Sequence, residues 1–475
     1  MPTETLIGSG RDCAPALTGK IAPWVRRLIK DPMTVAKLIE FGDSPVHVLA
    51  ASEFRRNVAA LLSVFQSRQV SGSLFFARKA NKLPWFVQLA KEEGIGIDTA
   101  SHPELQETLA LGVAPEKIIV TAVGKSKELV SQAVATGCLL VIDNLDEIQL
   151  VKAAAQSVGR VARVGLRFSG FRVNQRKIFS RFGLPVDEYR ALLSEIGSEP
   201  GLQLELLHAH LDRYDIEERA YAARQLIEVA DCASVNGKKI SSIDLGGGIL
   251  IRYLEKSEQW TAFQDELMSS IAGERPAFTY MADGLGLYKV GNEVCGRADL
   301  YPAWNDVSKE RFTAAILDHQ DGGPALHKEI SSRGLKLYFE PGRALLDNTG
   351  ITLARVTFRK RDTEGNLLIG LGMNRTNLRP FRAEFCVDPI LLTAKDRPKI
   401  DEGAFLVGNL CGEGDVIMRR KLQIGRMPEP GDIFCFVNTA GYLAHHLEVG
   451  THGNPLPVNV LIDEETFEVC DSVSN

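Results

Sequence analysis

Lys79 ends the run LFFARK (74–79), where four apolar residues lead into two cations. A lysine there is either a solvated charge at a strand end or an amine placed to attack a carbonyl. Four further groups have the same double reading: Asp98 and Ser101 in IGIDTAS, His208 and His210 in LELLHAHL, the triple glycine Gly246, Gly247 and Gly248, and Glu340, Gly342 and Arg343 in EPGR. Taken singly, a histidine satisfies a core, a glycine run makes a tight turn, and a glutamate is solvated. Taken together, they offer an imidazole that can stack on a flat ring and a side-chain-free backbone whose amides can approach a phosphate. They also offer a carboxylate that can keep a ring nitrogen protonated.

The elements that carry these residues alternate. Short apolar, β-rich runs are separated by amphipathic helical patterns from about residue 46 to 250: VHVLA (46–50), SLFFARKA (73–80), IGIDTA (95–100), KIIVTA (117–122), LLVID (139–143), RVGLRF (163–168), LELLHAHL (204–211) and SSIDLGGG (241–248). LKLYFE (335–340) completes the series, and this many βα units favours an eightfold α/β TIM-like barrel over an open doubly wound sheet. The candidates above then fall at the C-terminal ends of strands, on the rim where such barrels collect their chemistry. A lysine for an aldehyde, a stacking imidazole, a glycine loop for phosphate and an acid for a ring nitrogen on one rim imply pyridoxal 5'-phosphate. A phosphate-binding barrel without that cofactor leaves Lys79 without a role.

After about residue 344 the texture changes to Val, Ile, Thr and Phe runs broken by Gly, Pro and Asp turns. ITLARVTFRKRDTEGNLLIGLG reads as a hairpin turning at TEGN, and DIFCFVN and PVNVLID as later strands of an all-β domain. Residues 249–334, with Trp260, Tyr280, Tyr288, Tyr301 and Trp304, separate two expected barrel strands and need structure of their own.

The net charge of −5 gives no basic footprint for nucleic acid. Eight cysteines without a CxxC pair argue against a disulfide framework or a structural zinc and suit a reducing compartment; no metal is expected. No apolar stretch approaches the roughly 20 residues of a membrane span. The opening MPTETLIGSGRDC has no basic segment followed by an apolar core, so the expected location is the cytoplasm.

In order along the chain, these motifs resemble those of the fold type III pyridoxal-phosphate enzymes, which include the diaminopimelate, ornithine and arginine decarboxylases. The similarity covers most of residues 40–470. The resemblance implies a (β/α)8 barrel over 55–344 with an insertion at about 253–334. It also implies a C-terminal β-barrel domain over 345–475, completed by residues 1–54. It makes Lys79 of RKAN the aldehyde-binding lysine, with Asp98 of IDTAS beside it, and it lays His210 of HAHLDR over the cofactor ring. DLGGGI carries the phosphate loop, Glu340 of EPGR meets the ring nitrogen, and Arg343 lies near phosphate or the substrate carboxylate. Arg379 in MNRTNLRP is implied to bind a substrate carboxylate, and Tyr442 in the AGY motif to bind the cofactor. Cys411 of CGEGD is implied to deliver a proton from the β domain of a second subunit, so that a homodimer shares its active sites.

Four departures bear on the substrate. Gly412 stands where the diamino-acid decarboxylases carry an acid for the distal ammonium, although Glu413 is next to it. Asp212 and Arg213 replace the family's phosphate-contacting serine region, which would add positive charge near phosphate or an anionic substrate. Arg78 precedes the lysine and should point away from the barrel interior with little effect. The segment before EPGR is about 50 residues longer than the family pattern and either roofs the site or is a peripheral insertion. The expected activity is α-decarboxylation of an amino acid or amino-acid conjugate, with a lean toward an acidic or acylated side chain. An amino-acid racemase or epimerase and a non-catalytic cofactor-binding protein are the alternatives.

Overall fold

The computed structural model describes residues 12–42, 44–197, 199–235, 239–380, 382–393 and 397–474. The first eleven residues, read above for a leader, lie outside the described residues. The chain forms two compact units, one from 55–250 and 307–345, the other from 1–54, 251–306 and 346–475.

The first unit is a closed parallel barrel of eight strands: Gly72–Ala77, Gly96–Thr99, Ile118–Val120, Leu139–Ile142, Ala162–Ser169, Leu202–Ala209, Ser242–Asp244 and Lys336–Phe339. Each pairs in parallel with the next, and Leu337 opposite Gly72 closes the ring. The strands are apolar on both faces because helices cover the outside while Phe75, Ile119, Leu139, Val141 and Leu206 fill an inner cluster. Each such side chain contributes about 1.5–3 kcal/mol on burial. The intervening helices begin where the sequence supplies caps. The side chains of Ser101, Ser126 and Asn144 accept from the amides of Glu104, Leu129 and Glu147.

The second unit is built on nine strands in one sheet, with the hairpin Gly350–Arg361 and Leu367–Leu371 turning through Asp362–Asn366 as expected. It also carries the helices Pro23–Leu28, Pro32–Glu40 and Ser257–Ala272. VHVLA does not join the barrel. Val46–Ala50 lies in this sheet, antiparallel to Gly350–Arg361 and parallel to Val458–Ile462. Five buried residues, four of them apolar, fit either sheet equally well locally, and only long-range pairing distinguishes them.

The long segment before EPGR is divided between the units rather than being a single insertion. Residues 251–306 belong to the sheet unit: Thr279 bridges Arg420, Leu300 bridges Glu384, and Arg26 pairs with Glu255. Residues 307–345 return to the barrel through helices Lys309–Asp318 and Leu326–Ser332.

Candidate active site

Lys79 stands just beyond the first barrel strand, on a short 3-10 turn, Arg78–Ala80. Its Nζ lies 3.1 Å from Asp98 Oδ2, and the hydroxyl of Thr121 donates to the other carboxylate oxygen. Asp98 is fully buried, so burial and the nearby Glu340 raise its pKa while Lys79 and Thr121 oppose the rise. Lys79 keeps about a third of its side chain exposed (35%), which leaves its amine accessible from the rim. Arg78 does point away from the interior, but it is buried rather than incidental. It pairs with Glu107 and donates to Lys82 O at 3.1 Å, tying the lysine turn to helix His102–Ala110. Ser101 is accounted for by its cap on that helix.

Across the rim runs a buried polar relay. Glu340 follows the last strand and lies 3.2 Å from His208 Nε2, while Arg167 Nε donates to His208 Nδ1 at 3.2 Å. The guanidinium also donates to Asp143 Oδ1 at 2.9 Å and to Thr121 O at 2.8 Å. Because an arginine can only donate, Nδ1 of His208 must accept, so the single proton of the neutral ring sits on Nε2 and is donated to Glu340. Burial, reinforced by Arg167, holds the His208 pKa well below its usual value, consistent with that neutral ring. Burial pushes the Glu340 pKa up, and Lys79 and Arg167 pull it back. Asp244 joins this group: its ligand atoms and those of His208 and Glu340 lie within 4.8 Å of one another. Burial, with Glu340 nearby, raises its pKa strongly. These are donor types that suit a metal, but here Lys79 and Arg167 already supply positive charge to Glu340.

The triple glycine is where the rim groups converge. Asp244 Oδ1 accepts from Gly246 N at 2.8 Å, and Gly246 O accepts from Glu340 N at 2.9 Å. Gly246 and Gly248 are left-handed (φ 66° and 75°), and a Cβ at Gly247 would sit 2.8 Å from Glu340 O. A Cβ at Gly246 would sit 2.8 Å from His210 Nδ1. Only glycine fits all three positions. His210 is partly exposed at the rim, its ring parallel to that of His208 (3°, 6.5 Å) and edge-on to Phe182. Burial and the nearby Lys79 hold it neutral. Gly342 and Arg343 follow Glu340 after Pro341, Gly342 buried and Arg343 partly so. Arg213 is exposed and pairs with the buried carboxylate of Glu218 at 3.5 Å, so its charge is directed to that acid.

The remaining expected residues belong to the other unit. Cys411, Gly412, Glu413 and Gly414 form an exposed loop anchored by the buried Asp415, whose carboxylate accepts from Leu410 N at 2.8 Å and Arg375 N at 2.7 Å. That second bond joins the loop to the segment carrying Arg379. Arg379 is partly buried, and its Nε has no hydrogen-bond partner. Burial, with Arg419 and Arg379 close by, lowers the pKa of Arg375. Tyr442 sits in the left-handed region (φ 60°), its ring edge-on to His446.

Sequence reasoning passed over Arg167, Asp143, Thr121 and Asp244. Each was visible as a polar residue at or near the C-terminal end of an apolar strand run, which is the signal that had selected Lys79.

Residues 52–279 match the family model described as pyridoxal-dependent decarboxylase, pyridoxal binding domain. The chain is 27% identical over 430 residues to y4yA of Sinorhizobium fredii, itself uncharacterised, covering 89% of this chain and 88% of that one. It is 23% identical to a diaminopimelate decarboxylase of Archaeoglobus fulgidus, with 93% of each covered. Among solved structures, the diaminopimelate decarboxylase of M. jannaschii in complex with L-lysine superposes with a TM-score of 0.70 at 18% identity, covering 91% of this chain and 90% of the other. The lysine/ornithine decarboxylase of Vibrio vulnificus with putrescine gives 0.66 at 16% identity, covering 94% and 100%. The segment holding Lys79, Asp98, both rim histidines and the triple glycine thus matches the pyridoxal binding domain of the pyridoxal-dependent decarboxylases, and the whole chain shares the fold of solved enzymes of that kind.

Proposed function

We propose that this chain is a pyridoxal 5'-phosphate-dependent α-decarboxylase of an amino acid or amino-acid conjugate whose side chain is acidic or acylated. The observation that carries this reading is the pairing, on one barrel rim, of an accessible lysine held by a buried aspartate with a glutamate held by a neutral histidine. The rim fits the cofactor. Lys79 is an amine for its aldehyde, the glycine loop is a cradle that any Cβ would fill, and Glu340 is a carboxylate for its ring nitrogen.

When bound, the cofactor supplies an electron sink for the pair left behind as the α-carboxylate departs as carbon dioxide. Asp98 orients the Lys79 amine and stabilises its protonated form, so that the amine can be exchanged for the substrate's and later return. His210 would stack over one face of the ring. Glu340 would meet the ring nitrogen, and the proton donated by His208 Nε2 biases it toward the carboxylate that a protonated ring nitrogen requires. Arg343 and Tyr442 complete the cofactor contacts. Cys411 delivers a proton to the substrate carbon that lost carbon dioxide. Its loop is exposed and flanked by glycines, which suits a thiol presented to a second subunit in a homodimer with shared sites.

For the substrate, Arg379 with its unpartnered Nε, near Arg375, favours an anionic side chain, and Gly412 provides no carboxylate for a distal ammonium. Arg213, paired with the buried Glu218, is withdrawn from the substrate contacts expected of it, and Glu413 on its exposed loop is kept only as a contact to a conjugate's outer part.

The test is an absorbance titration of the purified protein with pyridoxal 5'-phosphate, followed by a carbon dioxide assay over acidic, acylated and basic amino acids. Wild type should gain a lysine-bound cofactor band that Lys79→Ala lacks, and acidic or acylated substrates should release carbon dioxide fastest. Exchange of the α-proton without carbon dioxide release would point instead to a racemase.

A further inference from the structure

Behind the triple glycine lies a cation with no expected function. Arg219, in the first turns of helix Ile216–Val235, is 1% exposed. Its Nη2 donates to Leu211 O at 2.9 Å and Arg213 O at 3.3 Å, and its Nη1 to Leu245 O at 3.2 Å. Its Nε is buried without a partner, and among the described residues no carboxylate lies within ion-pairing distance of it. Tyr214, Glu218, Asp212 and Asp215 act on it only at longer range, and Glu218 is already engaged by Arg176 and Arg213. Burial lowers its pKa to about 10, which leaves it charged at neutral pH.

An arginine sequestered from water and met by three carbonyls and the Phe312 ring at 6.0 Å, with no carboxylate paired to it, is costly unless a full negative charge comes close. Its position says where that charge belongs. A Cβ on Gly248 would lie 2.3 Å from Nη2, so the guanidinium rests directly against the last glycine of the loop. The carbonyls it holds flank that loop on both sides, at Leu211, Arg213 and Leu245. Arg213, the cation expected near phosphate from its sequence position, contributes its carbonyl to Arg219 and its side chain to Glu218.

We propose that Arg219 is the fixed counter-charge for the cofactor's phosphate, acting from behind Gly248 and selecting the phosphorylated cofactor over the unphosphorylated one. The inference rests on the cofactor reading above. It acts through binding, so it is tested on the cofactor-free full-length protein by quenching of tryptophan fluorescence. Affinities are measured for pyridoxal 5'-phosphate and for pyridoxal, in wild type, Arg219→Gln and Arg219→Lys, with thermal melts alongside.

Arg219→Gln should weaken the phosphorylated ligand by at least about tenfold, the scale of one charge-assisted contact. Its affinity for pyridoxal should change by less than about threefold, and Arg219→Lys should keep most of the preference. Equal weakening of both ligands in the glutamine variant would reduce Arg219 to a loop brace and overturn the proposal, as would no change in either. Should that variant not fold, the lysine variant decides, because it keeps the charge while giving up carbonyl bonds. A retained preference for the phosphorylated ligand then supports the counter-charge, and a lost preference overturns it. A wild type that binds neither ligand removes the cofactor reading itself, an outcome distinct from a wild type that binds both equally, which removes only the role of Arg219.

Discussion

The rim around Lys79 and the loop around Cys411 hold their reactive groups in opposite ways. On the rim, Asp98, His208, Asp244 and Glu340 are all within 1% of full burial, and each is fixed by a neighbour's donor or charge. On the loop, Cys411 is exposed, and nothing lies within 4 Å of where a Cβ on Gly412 or Gly414 would be. Its one buried anchor is Asp415, which grips the backbone rather than the thiol. The rim is therefore preorganised within its own unit, at the expense of burying several charges. The loop presents a group whose surroundings must come from elsewhere.

Removing the central cation of the rim should have the largest effect. Arg167→Met leaves Asp143 without its buried partner and removes the donor that sets the His208 tautomer. It should destabilise the protein by about 3–5 kcal/mol in urea unfolding. It should also weaken cofactor binding more than Asp143→Asn does, because only the arginine touches His208. Equal effects of the two variants would show that the relay to Glu340 is unimportant.

A second experiment asks whether the sheet unit also stores buried charge. Glu384 lies 3.6 Å from Arg420, yet its Oε1 has no hydrogen bond, and burial holds its pKa up to about 7 from an ordinary 4.5. A carboxyl with a raised folded-state pKa gives stability that is full below about pH 4.5 and is lost as pH rises through about 7. That loss is on the order of 3 kcal/mol. Glu384→Gln should flatten the fall of Tm across this window, and an unchanged slope would place the titration elsewhere.

The smallest effect tests the loop itself. Cys411→Ser should alter stability by less than about 0.5 kcal/mol and leave the cofactor titration unchanged, as for any exposed side chain away from the core. The fate of the product should change instead, which chiral and isotopic analysis of the protonated carbon would detect. A large loss of cofactor affinity would mean that loop and rim are not energetically separate.

The barrel was legible because its pattern is local. Apolar runs, helical spacers and caps such as Ser101, Ser126 and Asn144 recur at short range, and polar residues at strand ends are marked by the contrast with what precedes them. The hairpin at 350–371 was legible for the same reason. VHVLA was not legible from its pattern, which set it in the barrel series; only the resemblance placed residues 1–54 with the β domain, because its partners are Gly350–Arg361 and Val458–Ile462, hundreds of residues away. The segment 251–306 was likewise assigned to a barrel insertion, because the bridges at Arg420 and Glu384 that hold it to the sheet unit leave no mark in its own spacing.

What the sequence determined by itself was the type of chemistry. A lysine, a glycine triplet and an EPGR turn at strand ends of a βα series name an amine, an anion cradle and an acid, because residue type and strand alternation are enough to put them on one rim. What only the tertiary structure decided was charge: which cations reach the interior and which turn outward. Arg167 and Arg219 are buried while Arg213 is spent on Glu218, and three arginines in similar surroundings cannot be told apart until the helices and strands that desolvate them are in place.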